Sequence, residues 1–293
     1  MTVPKYSAIG RPLYFTDKTN VLIISLTVAT GLLSFIGFIW LADYGWKDAI
    51  IAAIGFAFSV FISWAISREL NPDFKYAAFF GPIIIILIGM HETRILSPHY
   101  AALFWILLLA RMLNRTTGLK ARIVDSIIIL ILTGWVSFSY SWIAGIIAAL
   151  VYWLDAVLKD PQPVHRIFAI LALVVSIISF FFRPVFNPDI FHGIEIFALL
   201  IITILFAAVI FMTKSINSKG DWVPVILNRQ RVRATQAFAL VSLLMFSIMN
   251  GNSSFYGLAP LSAAMAGIFV HMLIIRSGKK TRYLENGKET IVK

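Results

Sequence analysis

The sequence predicts an all-α, polytopic transmembrane bundle of about ten spans, built of repeated helical hairpins, with all 293 residues in one integral membrane domain. Three observations predict it. The chain is 59% hydrophobic and 13% charged, against about 25% charged in a soluble domain, so it lacks the polar surface to cover itself in water. Apolar runs recur along the whole length, divided by short polar stretches. The cations sit at alternating ends of those runs rather than in one patch, as the positive-inside rule describes.

Taken in order, residues 1–19 are polar and basic (Lys5, Arg11, Lys18) and read as a cytoplasmic tail. The run 21–42 is too long for a signal-peptide core of about 7–15 residues and lacks a small-x-small cleavage site, so it is a retained first span. A second covers 49–66, and two short ones follow at 76–90 and 100–113. The runs 123–138 and 142–157 are divided only by Ser139, Tyr140 and Ser141, and the pair also fits one broken unit dipping into the membrane. Further runs occupy 167–182, 190–212, 235–249 and 255–275, and 276–293 forms a basic tail. Several fall below the ~17–25 residues of an ordinary span. Aromatic residues at their ends (Trp46, Trp64, Trp105, Tyr140, Trp142, Trp153) extend the reach into the interface and favour full crossing.

Charge tests the count. With the N-terminus inside, 22 of the 25 Lys and Arg fall on one side, and the other holds only Lys47, Arg94 and Arg183. This split predicts a multi-pass protein of the plasma (inner) membrane with both termini cytoplasmic. Anionic lipids at the cytoplasmic face are the expected partners of the net +11 charge, and nucleic acid is not expected.

One stop signal recurs. The stretch 64–73 (WAISRELNPD) ends an apolar run with a cation, an Asn and a Pro, and looser forms stand at 111–114, 153–161 and 214–217. Asn tolerates a left-handed C-cap, a cation complements the negative helix end, and Pro blocks continuation. Asn71, Asn114 and Asp160 lie 43 and 46 residues apart, about one hairpin, which reads either as an internal repeat or as the stop any hairpin needs. Small residues spaced by four (Gly55, Ser59 and Ser63; Gly145 and Ala149; Ala263 and Gly267) mark faces where backbones approach closely.

No predicted span carries Lys, Arg, Asp or Glu near its centre, which argues against a proton relay and leaves a channel, facilitator or carrier. The absence of cysteine excludes disulfides, thiolate metal sites and cysteine catalysis. Ionisable groups gather instead at the cytoplasmic ends. Arg68, Glu69, Asp73, Arg111, Asn114, Asp155, Asp160 and Arg166 form a candidate collar for an anionic headgroup, with Asp155 and Asp160 as metal ligands in one version. The alternative is capping, snorkelling and loop ion pairs. Intramembrane aromatic prenyltransferases carry a repeated N-D-x-x-D-x-x-x-D pattern on comparable loops, and residues 68–73 lack it. On the outer side, His91, His99, His192 and Glu195 are candidate metal ligands or a protonation gate, against the alternative that they never meet. Pro224 predicts a short interfacial helix carrying Trp222, Val225, Ile226 and Arg229, with Arg229, Arg231 and Arg233 on anionic lipid.

No nucleophile elbow, P-loop, dinucleotide fingerprint or metalloprotease helix is present, so no catalytic residue and no particular cofactor is indicated. In length and span count the chain resembles the drug and metabolite transporter superfamily. The expected function is therefore a permease of small, weakly polar or anionic solutes. The alternatives are a membrane-embedded enzyme acting on a lipid or polyprenyl phosphate at the cytoplasmic face, and a non-catalytic scaffold.

Overall fold

The computed structural model describes residues 7–11, 13–92, 98–182 and 193–289, with side chains described up to 275. It is all-helical, with 76% of residues in helices and no named strand among those described. The helices are α1 (Lys18–Trp40), α2 (Trp46–Leu70), α3 (Phe80–Gly89, entered by a 3-10 turn Lys75–Phe79), α4 (Tyr100–Asn114), α5 (Ile123–Ser139) and α6 (Ile143–Val157). They continue with α7 (His165–Phe182), α8 (Gly193–Met212), α9 (Arg229–Asn250), α10 (Asn252–Gly257) and α11 (Ala259–Glu289). Every expected segment falls on an apolar helix. The run 255–275 is split by Leu258 into α10 and α11, and α11 continues as helix into the basic tail.

Five helices (α1, α2, α7, α8 and α9) are long and apolar enough to cross a membrane. The other apolar helices, at 75–89, 100–114, 123–139, 143–157 and 259–275, are shorter. The periphery fits a membrane-embedded protein: Leu32, Leu33 and Ile36 on α1, Phe181 and Phe182 on α7, and Ile204 and Phe211 on α8 are all more than half exposed. Such a surface is stable against lipid tails and not against water.

The local chemistry explains the ends. Asp17 caps α1 by accepting from the Thr19 N–H (2.9 Å) and hydroxyl (2.7 Å). Asn228 caps α9 through the Gln230 and Arg231 N–H groups. Asp125 accepts from the Arg122 N–H (2.8 Å) at the start of α5, and from the Ala8 N–H (2.8 Å), which ties the N-terminal segment to that helix end. Asn71 is the C-cap of α2, its N–H on the Ser67 carbonyl, but the left-handed conformation expected of the asparagines is corrected. Asn71 is not left-handed (φ −138°), and Asn114 is the last helical residue of α4 while Arg115 takes the left-handed position (φ 55°). Asp160 is left-handed (φ 59°), but it lies beyond the α6 C-cap, which is Leu158 in an extended conformation. The hairpin repeat is likewise not reproduced in packing: Trp64 is buried, whereas Trp153 is half exposed.

The core lies among α2, α3, α4, α6, α9 and α11, filled by Trp105, Tyr152, Phe238, Phe246, Leu243 and Met265. Close crossings rest on the small residues. A Cβ on Gly145 would stand 2.5 Å from Ser176 Cβ of α7, and one on Gly267 of α11 2.5 Å from the Gly81 N of α3. Segments 7–11, 13–17, 71–75, 115–122, 158–164 and 213–228 meet at one end of the bundle, joined by Arg11–Asp221, Asp73–Ser218, Glu69–Thr116 and Lys120–Asp160 contacts. We call this the basic end.

Candidate functional site

Two buried carboxylates organise the basic end. Glu69, in the last turn of α2, is wholly buried. It accepts from Arg111 Nε of α4 (3.1 Å), from Arg11 Nη1 of the N-terminal segment (3.2 Å) and from the Thr116 hydroxyl (2.6 Å). Arg11 also pairs with Asp221 of the α8–α9 loop. Burial alone would lower the Arg11 pKa, but the charges of Glu69 and Asp221 outweigh it and hold it above the ordinary value. Asn114 braces the same corner by donating from Nδ2 to the Glu69 carbonyl (2.8 Å).

Asp155, near the end of α6, is the second centre. It accepts from Arg115 (Nη2, 2.9 Å) and from Arg231 Nη1 of α9, and its other oxygen lies 2.8 Å from His165 Nδ1 of α7. Arg231 further donates to the carbonyls of Leu113 (3.1 Å) and Lys159 (3.0 Å). Arg115 also reaches the exposed Asp160 (2.8 Å), which Lys120 contacts as well. The Lys120 hydrogen bond, then the nearby arginines, keep the Asp160 carboxyl below its ordinary pKa.

His165 Nε2 stands 2.8 Å from Ser126 Oγ. Ser126, His165 and Asp155 thus repeat the connectivity of a hydrolase triad. All three are buried, and the Ser126 hydroxyl also donates to the Arg122 carbonyl (3.1 Å). Asp155 is occupied in compensating two arginines. The arrangement locks α5, α6, α7 and α9 together.

The expected collar therefore divides. Arg68, Glu69, Arg111 and Asn114 come together at the α2–α4 corner, while Asp155 and Asp160 belong to the second cluster. Asp73 accepts backbone N–H groups from Asn217 (3.0 Å) and Ser218 (2.8 Å) and caps that loop. Arg166 is exposed at the start of α7 over the Trp153 ring (6.0 Å) and joins neither cluster. Arg231 does not meet lipid: it is buried on Asp155. The helix expected after Pro224 is absent. Val225 and Ile226 lie in an extended turn, with a Lys219–Ile226 bridge and the Leu227 N–H on Ser218 O (2.9 Å).

The outer-side candidates do not assemble among the described residues, where no three His, Asp or Glu groups gather at metal-binding distance. His91 is exposed at the end of α3. His99 packs on Tyr140 (4.5 Å between centroids), and burial pushes its pKa down to about 4. Glu195 accepts from the Tyr256 hydroxyl (2.8 Å). His192 lies outside the described residues.

A cavity of 520 Å³ opens beside the α2–α4 corner. Phe58, Phe61, Trp64, Phe104 and Leu107 form its apolar wall, and Arg11, Arg68, Arg111, Asp17, Glu69 and Asp221 its charged end. Arg68 is distinctive there. Its guanidinium stacks on Trp64 (5.2 Å to the centroid) and donates to Asn20 Oδ1 (3.3 Å), and it has no carboxylate at ion-pair distance among the described residues. The wall carboxylates are already engaged: Glu69 by Arg11 and Arg111, Asp221 by Arg11, and Asp17 by Lys75 (3.4 Å). Sequence reading missed Arg11, Thr116, Asp221 and Trp222 as parts of this site. No protein-family model, curated protein or solved structure matches the chain.

Proposed function

We propose that the protein is a membrane-embedded carrier of an amphipathic anion, a lipid-like phosphate or carboxylate, and that the cavity at the α2–α4 corner is its binding site. The observation that carries the reading is Arg68: a half-buried cation, stacked on an aromatic ring and with no carboxylate at ion-pair distance among the described residues, where the charged end of the cavity meets its apolar wall. Guanidinium in a partly desolvated site binds phosphate or carboxylate through paired N–H groups, more strongly than a solvated surface pair. The volume lies within the ~300–1,000 Å³ of ordinary small-molecule sites. The aromatic wall supplies the partner for an apolar tail.

Carriage is favoured over conversion because no carboxylate in the wall is free to act as a general acid or base. Each is held by an arginine, lysine or hydroxyl. The basic end is the cytoplasmic end in this reading, by the distribution of lysine and arginine.

The test is thermal shift of the purified protein in neutral detergent. Dodecyl phosphate raises the Tm, by an amount that at a hundredfold excess over Kd corresponds to about 2.7 kcal/mol. Dodecanol does not. Arg68→Ala loses the shift and Arg68→Lys recovers part of it, because lysine lacks the planar fork. Equal shifts from the alcohol and the phosphate, or a full shift in Arg68→Ala, would overturn the proposal.

A further inference from the structure

We infer that the ligand carries a hydrocarbon chain about one leaflet long, and that this chain enters sideways from the bilayer between α2 and α4. The inference rests on the anion site proposed above and names the class of molecule and its route. Two observations carry it. The first is a roof. The N-terminal residues 7–11 and 13–17 cross the charged end of the cavity: Arg11 bridges Glu69 and Asp221, the Trp222 Nε1–H donates to the Gly10 carbonyl (3.3 Å), and Tyr14 packs edge-on against Trp222 (6.4 Å). Approach from the aqueous side is obstructed by these contacts.

The second is the side wall. Phe58 and Phe104 line the cavity and also a shallow groove on the outer surface, whose other residues are Tyr100, Ala101, Leu132 and Trp135. The groove is formed by α2, α4 and α5 and carries no charged residue. Its far end is set by Tyr100, at the start of α4, and the charged end by Arg111 on the same helix. At 1.5 Å rise per residue these are about 16 Å apart. That is roughly half of a ~30 Å hydrocarbon core, the depth of one leaflet. Cavity and groove together therefore match a phosphate or carboxylate head at Arg68 and an extended acyl or prenyl chain running to Trp135. A short soluble anion would use the head site and leave the groove unused.

A dodecyl phosphate bearing a diazirine on its terminal carbon tests this in phosphatidylcholine nanodiscs containing the intact protein. Photolysis should place adducts within 100–104 or 132–135, removed by excess unlabelled dodecyl phosphate and by Arg68→Ala. Ala101→Trp, or Leu132→Trp on the facing helix if the first variant folds poorly, should abolish those adducts by filling the groove, while the thermal shift given by phenyl phosphate persists. Competed, Arg68-dependent adducts on Leu13, Tyr14 or Trp222 would overturn the lateral route and leave the anion site standing. Adducts indifferent to competitor and to Arg68→Ala would overturn both.

Discussion

Replacing Asp155 by asparagine tests the second cluster most directly. The substitution preserves shape and removes one negative charge from between two buried guanidiniums, Arg115 at 7% exposure and Arg231 at 2%. Breaking a buried pair by deleting one partner costs about 3–5 kcal/mol, since the remaining charge is left uncompensated. Here the lower part of that range applies. Arg231 keeps its carbonyl acceptors on Leu113 and Lys159, and Arg115 keeps Asp160. If a chain of this size loses ~2–4 °C per kcal/mol, Asp155→Asn lowers the Tm by about 6–12 °C. The comparison is Asp160→Asn, whose side chain is 62% exposed and whose loss costs under about 1 kcal/mol. Differential scanning fluorimetry in one detergent measures both. Adding Arg231→Met to Asp155→Asn should recover part of the loss, because the pair is removed together. Equal shifts for the two aspartate variants, or no recovery in the double variant, would refute the account of Asp155 as the counter-charge of the bundle.

Arg111→Ala should cost about 3 kcal/mol by exposing buried Glu69 to the loss of one of its two arginines, and Glu69→Gln in the same background should restore part of it in the same melting assay. Gly145→Ala should destabilise by about 1–3 kcal/mol, since the added methyl meets Ser176 Cβ at 2.5 Å and the Ala172 carbonyl at 2.6 Å; an unchanged Tm would mean that α6 and α7 can separate freely. Asp160 contributes stability that is complete above its unfolded pKa of 3.8 and disappears as pH falls through its lower folded value, so the melting curves of wild type and Asp160→Asn should converge on acidification through that window. The chain has no cysteine, so single cysteines at the exposed positions 120 and 215 should label from the same side of sealed vesicles, and cysteines at 43 and 91 from the opposite side. Labelling of 120 and 215 from opposite sides would break the shared basic end.

The helices were legible because hydropathy alone sets where an apolar run begins and stops, and α5 starts at Ile123 as its run implied. The corner around Glu69 was half legible: Arg68, Glu69, Arg111 and Asn114 announce themselves as charged or polar groups at helix ends. Their partners do not, because Arg11 is 58 residues from Glu69, and Arg231 is 76 from Asp155. Nothing local encodes pairings of that range. One error was avoidable. Arg229 and Arg233 are four apart and share a helix face, so Arg231 between them has to point the other way, into the protein. The interfacial helix after Pro224 failed for a different reason. Its β-branched residues fit an extended turn, and the backbone groups of 220 and 227 are spent on Val225 and Ser218.

The long separation between Asp155 and Arg231 also bears on biosynthesis. A ribosome releases the chain from the N-terminus, so Arg115 is already available when Asp155 emerges, whereas Arg231 follows 76 residues later. At 5–20 residues per second that delay is roughly 4–15 s. During it, the Asp155 carboxylate has Arg115 as its one arginine, with His165 as its other partner. The final docking of α9 is then the event that seals the cluster, and a nascent chain arrested before residue 231 should remain a loose set of hairpins, open to quality-control proteolysis.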